Sequence, residues 1–234
     1  MDQARFAFHD RPEIPLMRDR LQGVFAPVRD AVRHDPTSQW VKASISGRTR
    51  DAVSQAAYER LRRAFPSWDL IADADPEAVA RLIHDVTWPM DKAGHLVAAA
   101  QRIRRLRGRV DLGFLAGRSR FDAFHWLMRL PGVGAKTAAV VLNFSTLRLP
   151  VLVVDTHVLR VLRRCALLPA RAGFARGFRL ATHVLPDWSA EVLYEFHWHI
   201  KTLGQTVCTH ARPRCGQCPI AAICAAGRSA RAGR

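Results

Sequence analysis

The stretch Leu130-Pro-Gly-Val-Gly-Ala-Lys-Thr-Ala138 constrains this chain more than any other. Before it, Ser119 to Arg129 has helical spacing, with Phe121, Phe124, Leu127 and Met128 on one face. Pro131, Gly132 and Gly134 stop that helix in a tight turn, and Ala135 to Phe144 reads as a second, mostly buried helix. Helix, glycine turn, helix leaves the amides of Gly132, Val133, Gly134 and Ala135 unpaired at a helix N-terminus, where the dipole favours an anion. Gly at 132 and 134 lets a phosphate reach the backbone with no Cβ in the way. A DNA phosphate is the natural occupant, and such contacts fix register without reading sequence.

Lys136 falls in the first turn of the second helix, among Ala135, Thr137, Ala138 and Ala139. A single lysine is by default a surface residue. Here the helix N-terminus and the small neighbours disfavour its protonated form, and a desolvated lysine with a lowered pKa is a good amine nucleophile. Downstream the apolar run Leu149-Pro-Val-Leu-Val-Val154 delivers Asp155 to the start of a helix over Thr156 to Cys165. An Asp in that place is a natural N-cap, which is compatible with a catalytic carboxylate.

Charge narrows the partner. Lys+Arg number 36 against 20 Asp+Glu, a formal net charge of +16, which implies a polyanion: nucleic acid first, an anionic membrane surface second. An apolar content of 49% excludes a disordered chain. No apolar run approaches the roughly 18 residues that span a bilayer, and Met1 to Arg5 is polar. The expectation is a soluble intracellular chain with no membrane partner.

Four of the five cysteines fall in one window, Cys208, Cys215, Cys218 and Cys224. Without an export signal a disulfide framework is disfavoured, so four thiolates in one short segment point to a metal. Zinc favours two short Cys pairs and this window has one; a [4Fe–4S] cluster also takes four cysteines, and spacing alone leaves both open with an edge to the cluster. Cys165 reads as an ordinary buried thiol.

Taken in order, the chain reads as all-α. The spacing predicts helices over 16–33, 37–46, 52–65, 76–85, 92–106, 177–185 and 189–203 besides those above, with a loop at 86–91 and a frayed tail at 225–234. Val151 to Val154 is the one β-like run. His197 and His199 on the 189–203 helix are weak pocket candidates.

LPGVGAKTAAVVLNF followed by VVDTHVLRVLRR resembles the helix-hairpin-helix DNA glycosylase superfamily, close to its endonuclease III branch, and the cysteine window matches that branch too. The resemblance implies two helical domains, 36–148 with the hairpin, and 1–35 joined to 149–234 with the cluster. It implies a [4Fe–4S] cofactor on Cys208, Cys215, Cys218 and Cys224, of structural role, holding Arg212 and Arg214 against the DNA backbone. His157 joins the DNA contacts. Arg48, in SGRTRD, stands where the branch carries a Gln that fills the gap left by an extruded nucleotide; it either contacts the orphan base or binds phosphate. Trp88, in TWPMDKA, stands at the wedge position; it either intercalates or is a buried loop residue. Both departures put oxidised pyrimidines in doubt as the substrate.

The implied chemistry is base excision from double-stranded DNA bearing a damaged or mismatched base. The nucleotide leaves the stack, Lys136 attacks C1′, and a Schiff base carries strand cleavage, with Asp155 stabilising positive charge on the sugar. The alternatives are a monofunctional glycosylase of the same superfamily, a non-catalytic DNA-binding protein and a redox Fe–S protein. A cytoplasmic monomer is the default.

Overall fold

The computed structural model describes residues 11–28, 33–185 and 187–232, and no strand occurs among them. The chain divides into two compact units, residues 31–149 and residues 1–30 with 150–234.

In the 31–149 unit the helices are α2 (Pro36–Ser46), α3 (Asp51–Ala64), α4 (Pro76–Leu82), α5 (Pro89–Arg107), α6 (Arg120–Leu127) and α7 (Ala135–Phe144). Asp-Pro pairs open two of them. Asp35 accepts from the amides of Thr37 and Ser38, and Asp75 from those of Glu77 and Ala78, while Pro36 and Pro76 occupy first-turn positions that lack an amide partner anyway. α2 is the central element, packed on α3, α5 and α7. Its Trp40 and Ile45 are fully buried, as are Leu61 of α3 and Leu96 and Ile103 of α5. Polar ties fix the loops to it: Trp68 Nε1 donates to Ser38 Oγ at 2.9 Å, and the Leu112 amide donates to Thr37 Oγ1 at 3.0 Å.

The other unit holds α1 (Glu13–Gln22), α8 (Thr156–Arg164), α9 (Phe174–Val184), α10 (Ala190–Thr206) and α11 (Ala225–Ala232). Its core joins Ile14, Met17 and Leu21 to Leu152, Val154, Val158, Leu162, Phe196 and Ile200. The β-like run 151–154 is buried but forms no strand. His197 Nδ1 donates to the Val153 carbonyl at 2.8 Å and His199 Nε2 to the Ala26 carbonyl at 3.2 Å, so both histidines tie the core together.

Three expectations are corrected. α1 starts before Leu16 and stops at Gln22, where the Gly23 amide closes on Asp19 at 3.0 Å; Val24 is exposed, and residues 29–32 lie outside the described residues. α5 begins at Pro89, not Lys92, because proline is preorganised for a first helical turn. The tail expected to fray is helical as α11, and Gly227 lies so close to Ala221 that a Cβ would meet its carbonyl oxygen at 2.5 Å. No helix among the described residues is long and apolar enough to cross a membrane.

Candidate nucleic-acid and catalytic site

The turn joining α6 to α7 is built on Leu130, whose carbonyl accepts the Val133 amide at 3.1 Å; the side chains of both residues are buried beneath it. Val133 therefore spends its amide inside the turn, a correction to the expectation that all four amides of 132–135 are unpaired. Gly132 has φ +71°, and a Cβ there would lie 2.6 Å from His95 Cβ on α5. Only glycine satisfies both conditions. Gly134 is the N-cap of α7 with ordinary φ, and no side chain caps the helix. Ala135, Ala138 and Ala139 are buried, whereas Lys136 between them is exposed. The expected desolvation of Lys136 is thus corrected: on this helix face the alanines turn inward and the lysine outward.

Arg48 and Trp88, expected at separate stretches, meet. Both are non-glycine residues in the left-handed region, with φ +54° and +55°. The Arg48 guanidinium lies over the Trp88 ring, 5.1 Å from its centroid. Trp88 is 52% exposed, which removes the buried-loop alternative. Neighbouring side chains hold the two turns in register. Thr87 Oγ1 donates to the Arg48 carbonyl at 2.8 Å, and the Thr87 amide donates to Thr49 Oγ1 at 3.1 Å. Lys92 binds across both, its Nζ donating to the carbonyls of Ile45 and Gly47, each at 2.7 Å, and to Thr49 Oγ1 at 3.1 Å. Burial, and then the charge of Lys136, pull the Lys92 ammonium down to about 8.

In the other unit Asp155 is buried at the start of α8. Its Oδ1 accepts from the amides of His157 at 2.9 Å and Val158 at 2.8 Å. Both cap bonds end on Oδ1, and among the described residues no hydrogen bond ends on Oδ2. His157 packs against α10, where a Cβ on Gly204 would meet its own Cβ at 2.8 Å, and its Nδ1 accepts from Arg160 at 3.1 Å.

The far end of α8 carries the cysteine loop. Arg160 donates to the Cys208 carbonyl at 2.9 Å and the Gly204 carbonyl at 2.7 Å. Arg164 donates to the carbonyls of Thr209 at 2.6 Å and His210 at 2.9 Å, and to Cys208 Sγ at 3.3 Å. Cys208, Cys215, Cys218 and Cys224 line one cavity of about 160 Å³ with the apolar side chains of Val161, Leu203 and Ile220. Among the described residues no three His, Cys, Asp or Glu side chains converge on a single ion. Cys165, expected as an ordinary buried thiol, is half-buried and lines the same cavity, where its neighbourhood with Cys224 pushes the Cys165 thiol up and the Cys224 thiol down. Arg212 and Arg214 are exposed on the loop, Arg214 with one guanidinium nitrogen donating to the Thr206 carbonyl.

Sequence reasoning missed Lys92, Thr49 and Thr87, whose roles rest on contacts across about forty residues that no local pattern encodes. It also missed the place of Cys165, which lines the same cavity as the cysteine window only once α8 has packed against that loop.

Residues 41–174 match the family described as HhH-GPD superfamily base excision DNA repair protein. Endonuclease III of Rickettsia felis is 37% identical over 200 residues, covering 85% of this chain and 87% of that protein. Endonuclease III-like protein 1 of Gallus gallus is 28% identical over 181 residues, and this chain spans 60% of its length. A solved structure of a trapped endonuclease III–DNA covalent intermediate, an estranged-adenine complex, superposes with a TM-score of 0.75 at 22% identity over 94% of this chain and 98% of that one.

Proposed function

This chain belongs to the HhH-GPD superfamily of base excision DNA repair proteins, and from that premise we propose that it is a DNA glycosylase with an associated abasic-site lyase activity, working through a lysine Schiff base. The observation that carries the reading is Lys136, exposed in the first turn of α7 directly after the glycine turn. Backbone amides of the turn bind the phosphate of the strand being cut. The target nucleotide leaves the stack and Arg48 and Trp88 occupy the space it vacates. The Lys136 amine attacks C1′, the bond to the base breaks, and the base leaves with the bonding electrons and takes up a proton. The C1′–O4′ bond of the resulting aminal then breaks, O4′ takes up a proton and C1′ becomes an iminium; this acidifies C2′, and loss of a C2′ proton expels the 3′ phosphate. Asp155, with Oδ1 committed to its helix, offers Oδ2 to the positive charge that grows on the sugar. The name of the superposed covalent complex supports an enzyme-bound intermediate in that relative.

The residues fit a [4Fe–4S] cluster better than zinc. One zinc ion requires its four sulfurs at about 2.3 Å from a single point. Cys208, Cys215, Cys218 and Cys224 line one cavity, and four cysteine thiolates are the ligand set that a [4Fe–4S] cluster takes. When bound, such a cluster supplies a fixed frame for the loop; Arg160 and Arg164 anchor that loop to α8. The protein is proposed to act in the cytoplasm as a monomer on double-stranded DNA.

The test is borohydride trapping of wild type and Lys136→Ala on duplexes containing an abasic site, thymine glycol, dihydrouracil, uracil, a G·T mismatch or 8-oxoguanine. A covalent complex that disappears in the variant is the expected result, and the trapping duplexes name the substrate. Alkali-labile sites without trapping would make the enzyme monofunctional and end the proposed role of Lys136.

A further inference from the structure

The unit that holds Asp155 also holds a groove with no part in the proposed chemistry. It encloses about 490 Å³, and its walls include Thr156, Arg160, Arg163, Arg164, Phe174 and His210. The positions it takes from α8 recur at intervals of three and four, so they share one face of that helix. The groove therefore starts at Thr156, the residue after Asp155, and runs along α8 to the cysteine loop at His210. Every ionisable side chain that lines it is basic, and among the described residues none of its arginines is paired with a carboxylate.

Hydrogen bonding does not quench this charge. Arg160 and Arg164 donate to carbonyls of the cysteine loop and Arg163 to the Ala172 carbonyl, which fixes each guanidinium in place and leaves it fully positive. Arg163 Nε is buried and has no partner, a donor left over on a residue of the groove wall. Phe174, at the start of α9, is 39% exposed. A single phenyl ring at a surface is ordinary, but this one shares a groove with four basic side chains.

We propose that this groove binds single-stranded DNA, with the basic side chains on its phosphates and one base stacked on Phe174. A basic track for the backbone and an aromatic platform for the bases are the two halves of single-strand recognition, and the stack accepts any base because every base has a π-face. An acidic peptide would use the charge and leave the ring idle. A duplex would do the same, because its bases are paired and stacked inside. The volume is that of a small-ligand site, enough for one nucleotide of a strand. Since the groove opens beside Asp155, the strand it holds is a flank of the one under repair; that consequence rests on the proposed function, and the binding itself does not.

The experiment is fluorescence anisotropy of a short oligothymidylate and of a duplex of the same length, for the full chain as wild type, Phe174→Leu, Phe174→Trp and Arg163→Gln. Phe174→Leu should weaken the single strand about tenfold and the duplex less than about twofold, while Phe174→Trp binds the strand at least as well as wild type. Arg163→Gln should lower the slope of log K against log salt by about 0.7 for the single strand, the share of one phosphate. A 5-iodouracil in the strand should photocrosslink to the peptide that contains Phe174. The inference is overturned if Phe174→Leu leaves the strand unchanged or weakens strand and duplex alike, if Phe174→Trp binds as poorly as Phe174→Leu, or if the crosslink maps elsewhere. Thymidine monophosphate that displaces the strand at equal nucleotide concentration would make this a site for free nucleotides, and polyglutamate that displaces it equally would make it an acidic-peptide site; either result ends the proposal. No cleavage is read, so an enzyme that fails to trap through Lys136 leaves this test intact.

Discussion

Gly132 and Gly134 stand two residues apart and answer different demands. At Gly132 the backbone is left-handed and a Cβ would overlap His95; at Gly134 the φ is ordinary and the space open. Gly132→Ala is expected to destabilise by about 2–4 kcal/mol, from backbone strain plus the clash, and Gly134→Ala by less than about 1 kcal/mol. Urea melts of the two variants check this, and equal costs would contradict it. Asp155 separates in the same manner. Asp155→Asn keeps an oxygen for the His157 and Val158 amides, so its stability should stay within about 1 kcal/mol of wild type while trapping is lost. Asp155→Ala should lose both trapping and about 0.5–2 kcal/mol of stability. An Asp155→Asn enzyme that still traps at the wild-type rate would leave Asp155 as a cap alone. Residues of this kind were legible in the sequence because turn and cap chemistry is local: glycine, aspartate and the lysine after the turn announce themselves. The exposure of Lys136 was not legible, since a run of alanines shows which positions are small and leaves open which way the lysine between them points.

At the scale of elements, the start of α5 shows where local signals stop. Proline at 89 announces a helix start, but a left-handed Trp88 before it has no local cause, because an indole gains nothing from φ +55° by itself. The conformation is held from outside by the Thr49–Thr87 and Lys92 bonds, and it turns the ring outward beneath the Arg48 guanidinium. Strained, over-determined residues of this kind are typical of working surfaces. Trp88→Ala should therefore slow excision in a duplex more than in a single strand, where no stack has to be opened, and leave the melting temperature near wild type. Equal slowing on both substrates would remove the wedge role. Helices with strong ends, α2, α4, α6 and α7, follow from sequence to within a residue or two at their starts. α1 does not, because its apolar positions continue past Gly23 although the helix stops there; Val24 turns to solvent and Phe25 packs back on the core. Periodicity marks which residues want burial, and the chain can bury them after leaving the helix.

At the scale of the molecule, the unit that holds Asp155 is also the one that depends on the cysteine loop. Its apolar core reaches Ile220, and Cys208, Cys218 and Cys165 pack against that core from the loop side. Arg160 and Arg164 of α8 spend donors on the loop carbonyls of Cys208, Thr209 and His210, 45 to 48 residues away. With the loop so tied, removal of the proposed cluster is expected to loosen α8, the helix whose first turn Asp155 caps. The 31–149 unit has its own core around Trp40, Leu61 and Leu96. Purified without oxygen, the protein should therefore contain about four irons and four acid-labile sulfides per chain, with visible absorbance. Cys218→Ala should lose the colour, and hydrogen exchange should show protection falling across 150–232 while residues 33–149 keep theirs, since binding energy at a metal site is folding energy for the unit that holds it. One zinc per chain in a colourless protein would refute the cluster, and unchanged protection in Cys218→Ala would refute its structural role. The sequence could indicate four candidate ligands because their spacing is local. The fifth thiol, Cys165, was hidden, because its neighbourhood with Cys224 exists only once α8 and the loop have folded together.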